Sequence, residues 1–475
     1  MERDVKSLRI IGHDASSFFV IDENRKTNFL RLTAYHLENS TTHWVEKIQL
    51  EEDEKLESVS FLDSTFVLFT SKTNQSNKET SIFCLLLDHL GKTKSDKKQI
   101  HQTTFSNASN QPEFGITFSP DSTRLLLYFD PPYERKSSEA ISFKCYSKDI
   151  ELIWEKEILL PYTQEIVQVH SFLIDNAGEL YMMSGRNPAK DGKLWQKPQG
   201  ARYVVFYYNA KTNKLKEYDI SLKDKQVMSV IFQLNQKQDV IITGYYSNDF
   251  HFNAAGTIQF VIGAHGASVK SANFMPFSKD FLLQFMGEGD LKRNPALPDF
   301  YLDHMLISPE GEVLLIGEQY YVSQNTITDP TTGRQTIEYR YNFDELILTK
   351  TDSTGKHLWN QKISKRQFTI SDTRNCSYLC FQTGDSLSFY FNDDPDNTEL
   401  LAADPNDQPS AFMGSKSSVT TRVQAHSDGS VTRTTLIQNK EKDSLLNTYY
   451  GLRSISGPQI LGYEDGKKFR FCIVR

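Results

Sequence analysis

The stretch GITFSPDSTRLLLYF, residues 115–129, contains two apolar segments joined by a short polar turn. Pro, Asp and Ser in this turn are residues that stabilise tight reversals of the chain. The second segment, RLLLYF, is a continuous apolar run, which is typical of a strand covered on both faces. The stretch therefore predicts an antiparallel hairpin whose second strand is sandwiched between neighbouring layers.

This hairpin pattern recurs along the chain, and each copy is followed by a third strand, a second turn and a fourth strand. The seven copies lie at residues 8–21, 57–71, 115–129, 171–185, 230–246, 303–318 and 378–393. Four antiparallel strands in each repeat are the pattern of a β-propeller blade. We therefore predict an all-β fold, a single β-propeller of four-stranded antiparallel blades, with seven blades preferred and eight as the alternative.

The whole chain, residues 1–475, is predicted to be one propeller domain. The approximate blades are 8–50, 57–100, 115–160, 171–222, 228–277, 303–363 and 378–437. A further hairpin at 457–475 would close the ring against the first blade or form a degenerate extra blade. Closure matters because open edge strands pair readily with other chains.

The composition bounds the class of protein. The chain is 38% hydrophobic and 24% charged, within the range of soluble globular proteins, and its 22 Tyr and 31 Phe favour strands. A net charge of −7 argues against nucleic acid as the partner. No apolar stretch reaches the ~18–20 residues that span a bilayer. The five Cys form no even framework, so we expect buried free thiols. Separately, we expect a monomer.

Five long insertions are predicted to lie on one side of the propeller. In a four-stranded blade, the second-to-third connections and those between blades share one face, which we name the long-loop face. The first-to-second and third-to-fourth turns share the opposite, short-turn face. The insertions are 130–139, 186–200, 286–300, 319–343 and 393–416. Loops longer than ~12–15 residues are usually functional or disordered, so the long-loop face is the predicted binding face.

Aromatic and basic residues on these insertions are the predicted contacts for a protein or glycan partner. Arg and Tyr are enriched at interface hot spots, although exposed loop charge explains the same pattern. Trp195 lies in an insertion rather than a strand, and either packs back onto the propeller or binds the ligand. The candidates are Trp195, Arg186, Tyr320, Tyr321, Tyr339, Arg340, Tyr341, Lys365 and Arg366.

Three tryptophans at the start of predicted fourth strands raise the question of a cofactor. They are Trp44, Trp154 and Trp359, and the last lies in TDSTGKHLW, residues 351–359. This segment resembles the tryptophan-docking motif of pyrroloquinoline quinone dehydrogenases but is one residue short. The other two sites lack the glycine. We therefore expect packing between blades and no cofactor.

Metal and catalytic motifs are weak. Asp393, Asp394 and Asp396 are candidates for Ca²⁺, but EF-hand spacing and its glycine are missing, so a solvated loop is expected. His304 beside Asp303 has no second ligand at metal spacing, which favours a partly buried histidine. GxSxG and HExxH are absent from the sequence. We predict no metal site and no catalytic residue, and we leave enzyme activity open.

Several of these repeats resemble known propeller families. FSPDSTRLLLYF, residues 118–129, resembles the TolB-type repeat, and DSTGKHLWNQKI, residues 352–363, is similar to repeats of quinoprotein-like propellers, including outer-membrane assembly lipoproteins. FYLDHMLISPEGEVLLIGEQYYV, residues 300–322, and the stretch up to residue 395 resemble uncharacterised propellers of Bacteroidota. The resemblance implies a propeller fold and the cell envelope, and it brings no catalytic residues with it.

Three functional hypotheses follow. The first is a non-enzymatic binding or scaffold protein that uses the long-loop face. The second is a propeller hydrolase or lyase with its site at the mouth of the central channel. The third, by analogy, is an accessory factor of an outer-membrane secretion or assembly machine. The start MERDVKSLRIIG lacks an apolar signal region. We expect a periplasmic or envelope location if an export signal has been removed, with the cytoplasm as the alternative.

Overall fold

Eight antiparallel sheets follow one another along the chain. The computed structural model describes residues 5–24, 28–105, 113–130, 137–186, 202–222, 225–248, 253–328, 330–415, 417–449, 457–464 and 469–474. Within these residues, six sheets have four strands, the sixth in chain order has five and the last has three. Every strand pairs with its neighbour in chain order, except that β25 pairs with β23.

The first four sheets occupy the first half of the chain. Sheet 1 contains β1 (Val5–His13), β2 (Ser17–Asn24), β3 (Phe29–His36) and β4 (Thr42–Gln49). Sheet 2 contains β5 (Glu54–Leu62), β6 (Thr65–Asn74), β7 (Glu79–Leu87) and β8 (Lys98–Thr104). Sheet 3 contains β9 (Glu113–Phe118), β10 (Arg124–Asp130), β11 (Ser138–Ser147) and β12 (Leu152–Thr163). Sheet 4 contains β13 (Val167–Ile174), β14 (Leu180–Arg186), β15 (Arg202–Asn209) and β16 (Lys214–Ile220).

The remaining sheets carry the short helices in their connections. Sheet 5 contains β17 (Gln226–Leu234), β18 (Val240–Ser247), β19 (Gly256–Ile262) and β20 (Val269–Pro276), and is followed by α1 (Lys279–Leu282) and α2 (Glu288–Arg293). Sheet 6 contains β21 (Phe300–Ile307), β22 (Val313–Thr328), β23 (Gln335–Thr351), β24 (His357–Ile363) and β25 (Gln367–Thr369). A 3₁₀ turn (Thr373–Asn375) leads to sheet 7, with β26 (Leu379–Thr383), β27 (Ser386–Asp393), α3 (Asn397–Ala403), β28 (Val419–Ala425) and β29 (Val431–Gln438). Sheet 8 follows α4 (Asn439–Lys442) and contains β30 (Leu445–Leu446), β31 (Gln459–Glu464) and β32 (Phe469–Val474).

Burial within each sheet follows the apolar patterning of its strands. In sheet 5, β18 and β19 are buried at every position, whereas β20 alternates between exposed and half-buried residues. Continuous apolar runs suit β18 and β19 because both of their faces are covered by other sheets. The alternating β20 suits the outer edge, where one face meets solvent.

Apolar clusters join each sheet to the next and close the set into a ring. Consecutive pairs from sheet 1 to sheet 7 each share a cluster of buried side chains. A further cluster combines residues of sheets 7, 8 and 1. In it, the Phe471 ring of sheet 8 lies 5.1 Å from Phe18 and 5.2 Å from Tyr35 of sheet 1. Successive four-stranded sheets packed face to face in a closed circuit define a β-propeller.

The C-terminal hairpin predicted at 457–475 lies in a sheet of its own. Sheet 8 separates sheet 7 from sheet 1, and polar contacts fix it to sheet 7. Asn392 Nδ2 donates to the Leu446 carbonyl oxygen at 2.8 Å, and Tyr390 OH donates to Gln459 Oε1. The preference for seven blades is therefore not confirmed by this arrangement.

The three predicted packing tryptophans lie between sheets. Trp359 Nε1 donates to the Ser427 carbonyl oxygen of the following sheet at 3.0 Å. Its ring lies against Gly429, where an added Cβ would come within 3.0 Å of the indole. The rings of Trp44 and Trp154 contact glycine-containing turns of sheets 2 and 4 in the same way. This confirms the interpretation of the repeated Trp as packing.

Two further findings concern the pairing of the cysteines and the length of the helices. The five Cys are free thiols, and all except Cys472 are buried. Among the residues described, no helix has the length and apolar character needed to cross a membrane.

We expect Phe471→Ala to destabilise the propeller, because the ring joins sheet 8 to sheet 1. Removing the half-buried Phe471 ring should lower the free energy of unfolding by about 2–4 kcal/mol. The measurement is urea unfolding followed by fluorescence. Leu159→Ala is the control, since Leu159 is 62% exposed on the outer strand β12 and should change stability by about 0.5 kcal/mol or less. An equal effect of the two substitutions would contradict closure through sheet 8.

Candidate functional site

The two sides of the propeller differ in the length of their connections. The long-loop face carries α1 and α2 between sheets 5 and 6, α3 between β27 and β28, and the extended ends of β22 and β23. The short-turn face carries mostly tight turns, such as 384–385 and 352–356. One connection there is longer than expected, since residues 88–97 join β7 to β8.

The predicted loop at 319–343 is instead a long β-hairpin, so this part of the prediction was wrong. The register runs without interruption from Tyr320 opposite Phe343 to Thr328 opposite Gln335. Tyr, Ile and Thr occur in both halves, and these residues favour strands. The nine residues Tyr320–Thr328 extend about 30 Å beyond the part of β22 that pairs with β21.

One face of this hairpin presents apolar side chains to solvent. Val322 lies opposite Tyr341, Gln324 opposite Tyr339 and Thr326 opposite Ile337, so these residues point to the same side. Val322, Tyr339 and Ile337 are 46%, 48% and 56% exposed. We name Val322, Ile337, Tyr339 and Tyr341 the apolar stripe. Apolar residues that line up on one projecting face are typical of a contact surface.

The opposite face of the hairpin packs on the propeller at its base, whereas its outer half, with Ile327 49% exposed, meets solvent. The Arg340 guanidinium lies over the Phe368 ring at 4.2 Å, a cation–π contact. Tyr321 OH donates to Asp344 Oδ2 at 3.0 Å. Burial, together with the negative charge of Asp344, raises the pKa of Tyr321 to about 12. Arg340 and Tyr321, both predicted as binding residues, therefore help to hold the hairpin in place.

The hairpin has a free edge along β22. Among the described residues, β22 pairs with β21 only up to Gln319 and with β23 along its whole projecting length. Residues 321–328, YVSQNTIT, thus leave one row of backbone groups without a neighbouring strand. This segment contains no Lys, Arg, Asp, Glu or Pro. Natural edges usually carry such residues because they prevent pairing with other chains.

The backbone N–H groups along this edge follow a fixed alternation. Tyr320 N donates to the Asp299 carbonyl oxygen at 2.9 Å, on the side of β21. Alternate residues of an antiparallel strand direct their N–H to the same side. The N–H groups of Val322, Gln324 and Thr326 therefore point to the free edge, away from β23.

Lys365 was predicted on the binding face, but the structure buries it completely. Its ammonium forms an ion pair with Glu318 Oε1 at 2.7 Å and donates to the Phe343 carbonyl oxygen at 2.8 Å. The prediction was wrong because sequence did not show that β25 folds back against β23 at this point. The neighbouring Arg366 is exposed, as a binding residue must be.

The remaining predicted binding residues are placed differently. Tyr320 is half-buried, with its ring 4.9 Å from Phe343. The Arg186 guanidinium stacks over the Tyr162 ring at 4.7 Å. Trp195 lies outside the described residues, as do most of the insertion at 186–200 and part of that at 130–139. Among the candidates that the structure describes, the hairpin residues are the ones brought together.

The acidic stretch around Asp393 is not a solvated loop throughout. Asp393 is fully buried, forms an ion pair with Arg433 and accepts a hydrogen bond from Asn397 Nδ2 at 2.6 Å. Asp394 Oδ1 accepts the backbone N–H of Asp396 at 3.1 Å, just before α3. Asp393 therefore has a structural role, and its oxygens already have protein partners.

The central channel holds one carboxyl with an unusual environment. First strands of neighbouring sheets contact each other around the centre. A cavity of about 440 Å³ there is lined by residues of β17, β21 and β26, including Asp303 and His304. The register of β21 skips one residue between Leu302 and His304, so Asp303 is the extra residue of a β-bulge. Bulges often re-aim a side chain next to a functional site.

Asp303 is poised to change its charge near neutral pH. Desolvation by the surrounding protein raises its pKa to about 7, and the nearby carboxylate of Glu318 contributes, although Asp303 as a whole residue is exposed. Tyr378 OH donates to Asp303 Oδ2 at 2.8 Å. Burial also lowers the pKa of His304, which is half-buried as the sequence led us to expect. Asp303 alone is therefore the acid–base candidate here.

Comparisons with known proteins assign no family and no activity to the chain. No family model matches the chain, and no curated protein does. The WD40 domain of SCAP from fission yeast is similar, with a TM-score of 0.42 and 9% identity over 99% of this chain and 91% of that chain. An uncharacterised protein from Listeria monocytogenes has a TM-score of 0.41 and 9% identity, over 88% of this chain and 90% of that chain. The β-propeller domain of the Trilobed protease from Pyrococcus furiosus has a TM-score of 0.38 and 10% identity, over 82% of this chain and 90% of that chain.

The closed circuit of antiparallel sheets defines the chain as a β-propeller protein. At 9–10% identity, none of these likenesses assigns an activity or a partner to it. Sequence reasoning located the long-loop face but missed its free edge. Residues 321–328, YVSQNTIT, carry no charge, and this was the signal in the sequence that could have revealed the free edge. The alternation of side chains in this segment predicts a strand.

We expect Asp303→Asn to change how stability depends on pH. The pKa of this carboxyl is raised above the unfolded value of roughly 3.9, so the folded state binds its proton more tightly. The stability that this tighter proton binding contributes is present below about pH 4 and is lost as pH rises through about 7. Relative to wild type, Asp303→Asn should therefore gain stability at pH 8 compared with pH 4.5. Urea unfolding midpoints at the two pH values measure this.

Asp352→Asn is the control without a pH trend in this window. Hydrogen bonds from Thr354 and the Lys356 backbone hold the pKa of the Asp352 carboxyl below its usual range. Its contribution is present above the unfolded pKa of roughly 3.9, and both pH 4.5 and pH 8 lie above that value, so this variant should lose about the same stability at the two pH values. The same pH trend in both variants would contradict the assignment to Asp303.

Proposed function

We propose that this protein binds another protein by accepting an extended segment of it along the free edge of β22. The observation that carries the proposal is the unprotected edge of residues 321–328, on the long-loop face. Main-chain hydrogen bonds to an exposed sheet edge give affinity in this mode of recognition, and side-chain contacts give specificity.

The geometry of the edge supports strand addition. The N–H groups of Val322, Gln324 and Thr326 point outward at every second residue, which is the spacing that a partner strand requires. Residues in this segment are uncharged and strand-forming. The edge therefore offers an incoming strand both hydrogen-bonding groups and a flat path.

The apolar stripe supplies the side-chain part of the interaction. Val322 stands at the edge, and Ile337 and Tyr339 lie behind it on the neighbouring strand. A partner strand on β22 would place alternate side chains next to Val322 on this face, because side chains alternate between the two faces of a sheet. We therefore propose a partner segment with apolar residues at every second position.

A protein partner fits these features better than a glycan. Glycan recognition relies on polar side chains and aromatic faces, whereas the edge presents backbone groups in strand spacing. The cell envelope remains the proposed location, and it rests on the sequence resemblance alone. A role beside an outer-membrane secretion or assembly machine would be one setting for such a binding protein.

A second candidate function is a hydrolase or lyase that works in the central channel. Asp303 favours it, because a carboxyl with a pKa of about 7 can take up or release a proton at neutral pH. Tyr378 OH, at 2.8 Å, would orient that carboxyl. If this function is correct, turnover of a substrate found by activity screening would be lost in Asp303→Asn.

We expect Gln324→Pro to abolish binding of extended peptides while leaving the hairpin intact. Proline removes an N–H that points to the free edge, and it is tolerated on edge strands in that orientation. Peptides are first selected from a displayed library of linear random sequences on the wild-type protein. Their affinities are then compared for wild type, Gln324→Pro and Gln324→Ala by fluorescence anisotropy.

The expected result is at least about tenfold weaker binding by Gln324→Pro, which corresponds to roughly one or two lost hydrogen bonds. Gln324→Ala keeps the backbone donor and should bind as wild type. Ile337→Asp should also weaken binding, whereas Leu358→Asp, on an exposed residue of β24, should not. Equal binding by the proline and alanine variants would rule out strand addition. Failure to select any binding peptide from the library would overturn the proposed partner class.

A further inference from the structure

We propose a divalent transition-metal site on the short-turn face, formed by Asp175, Glu179 and His265. Two of these residues lie in the turn between β13 and β14 of sheet 4. His265 lies in the turn between β19 and β20 of sheet 5. The site would thus bridge neighbouring sheets, on the opposite side of the propeller from the free edge of β22.

The three side chains converge in the structure. One ligand atom from each lies within 4.8 Å of the others, and among the residues described no other group of three possible ligands does so. His265 Nδ1 is 2.9 Å from Glu179 Oε2 and 3.8 Å from Asp175 Oδ2. Ligands about 2.0–2.2 Å from a zinc ion lie about 3.0–3.5 Å from one another. Small side-chain movements would therefore complete the coordination.

A buried oxygen without a partner points into this cluster. Asp175 is fully buried, yet its Oδ2 accepts no hydrogen bond among the described residues. A buried carboxylate oxygen is costly unless it is paired or coordinates a metal. The other oxygen, Oδ1, accepts the backbone N–H groups of Ala177 at 3.0 Å and Glu179 at 2.8 Å. Oδ1 is therefore satisfied by the turn, and Oδ2 is left for a ligand.

Further contacts orient the ligands from behind. Asn209 Nδ2 donates to Glu179 Oε1, which leaves Oε2 directed at the cluster. The Gly266 N–H donates to Tyr181 OH at 3.2 Å, and Tyr218 OH donates to the Ala267 carbonyl oxygen at 2.8 Å. These bonds from sheet 4 hold the turn that carries His265 against its neighbours. Partners of this kind are what fix the geometry of protein metal sites.

The ligand set indicates the class of metal. One imidazole and two carboxylates suit Zn²⁺ or Mn²⁺ better than Ca²⁺, which prefers six or more oxygen ligands. The His265 side chain is 61% exposed, so the remaining coordination positions open to solvent and would be filled by water. Three protein ligands with an open position can bind a metal without enclosing it.

The test is calorimetric titration of the chelator-treated protein with Zn²⁺, Mn²⁺ and Ca²⁺. We expect one Zn²⁺ or Mn²⁺ per chain, bound more tightly than Ca²⁺, and a rise in the thermal unfolding midpoint with metal. His265→Asn removes the imidazole, and asparagine tolerates the left-handed backbone at this position, where φ is +56°. It should weaken Zn²⁺ binding at least about tenfold. His357→Asn, an exposed histidine of β24, is the matched control and should bind as wild type.

Asp175→Asn provides a second arm that separates metal binding from folding. Asparagine keeps an oxygen for the turn N–H groups but removes the unpaired charge. Stability without metal should be unchanged or higher, while the metal-dependent rise in the unfolding midpoint should disappear. In wild type, Zn²⁺ should shift the NMR signal of a single one of the 11 histidines. Absence of stoichiometric binding, or wild-type affinity in His265→Asn, would overturn the proposal.

Discussion

Face-to-face packing between consecutive sheets is the constraint on which the rest of the structure depends. The second and third strands of a sheet can be apolar throughout because a neighbouring sheet covers each face, as β18 and β19 illustrate. Such strands would be insoluble in an isolated sheet, so stability requires that the circuit be complete. The aromatic contact of Phe471 with Phe18 and Tyr35 is where the last sheet meets this requirement. Loops on the outside are then free to vary.

Much of this architecture could be predicted from the sequence, because hairpin periodicity is a local property. The turn SPDS and the run RLLLYF within residues 115–129 specify a hairpin and a covered strand without knowledge of the remainder of the chain. The tryptophans at the head of fourth strands could likewise be interpreted as packing. The role of the C-terminal hairpin could not, because nothing local distinguishes a separate sheet from an added edge.

The candidate sites depend on contacts that sequence does not encode locally. Lys365 resembles an exposed loop residue until β25 folds against β23 and buries it beside Glu318. Asp175 and His265 lie 90 residues apart in ordinary turns, and only the packing of sheet 4 on sheet 5 brings them together. Asp303 owes its raised pKa to desolvation by the surrounding protein and to the carboxylate of Glu318, and both effects are equally non-local. The projecting hairpin is the exception. The alternation of its side chains is visible in the sequence, but the turn residues at its centre interrupt the pattern and suggest a loop.

The continuity of β22 has a mechanical consequence. The strand runs unbroken from Val313, inside sheet 6, to Thr328 at the hairpin, and the buried Lys365–Glu318 pair secures the point where it leaves the body. A partner strand added along this edge would lie alongside β22. A pulling force on the partner would then act along the direction of the two strands. Its hydrogen bonds would then be loaded together in shear rather than opened one after another. An attachment of this geometry resists force far better than its equilibrium affinity alone would suggest.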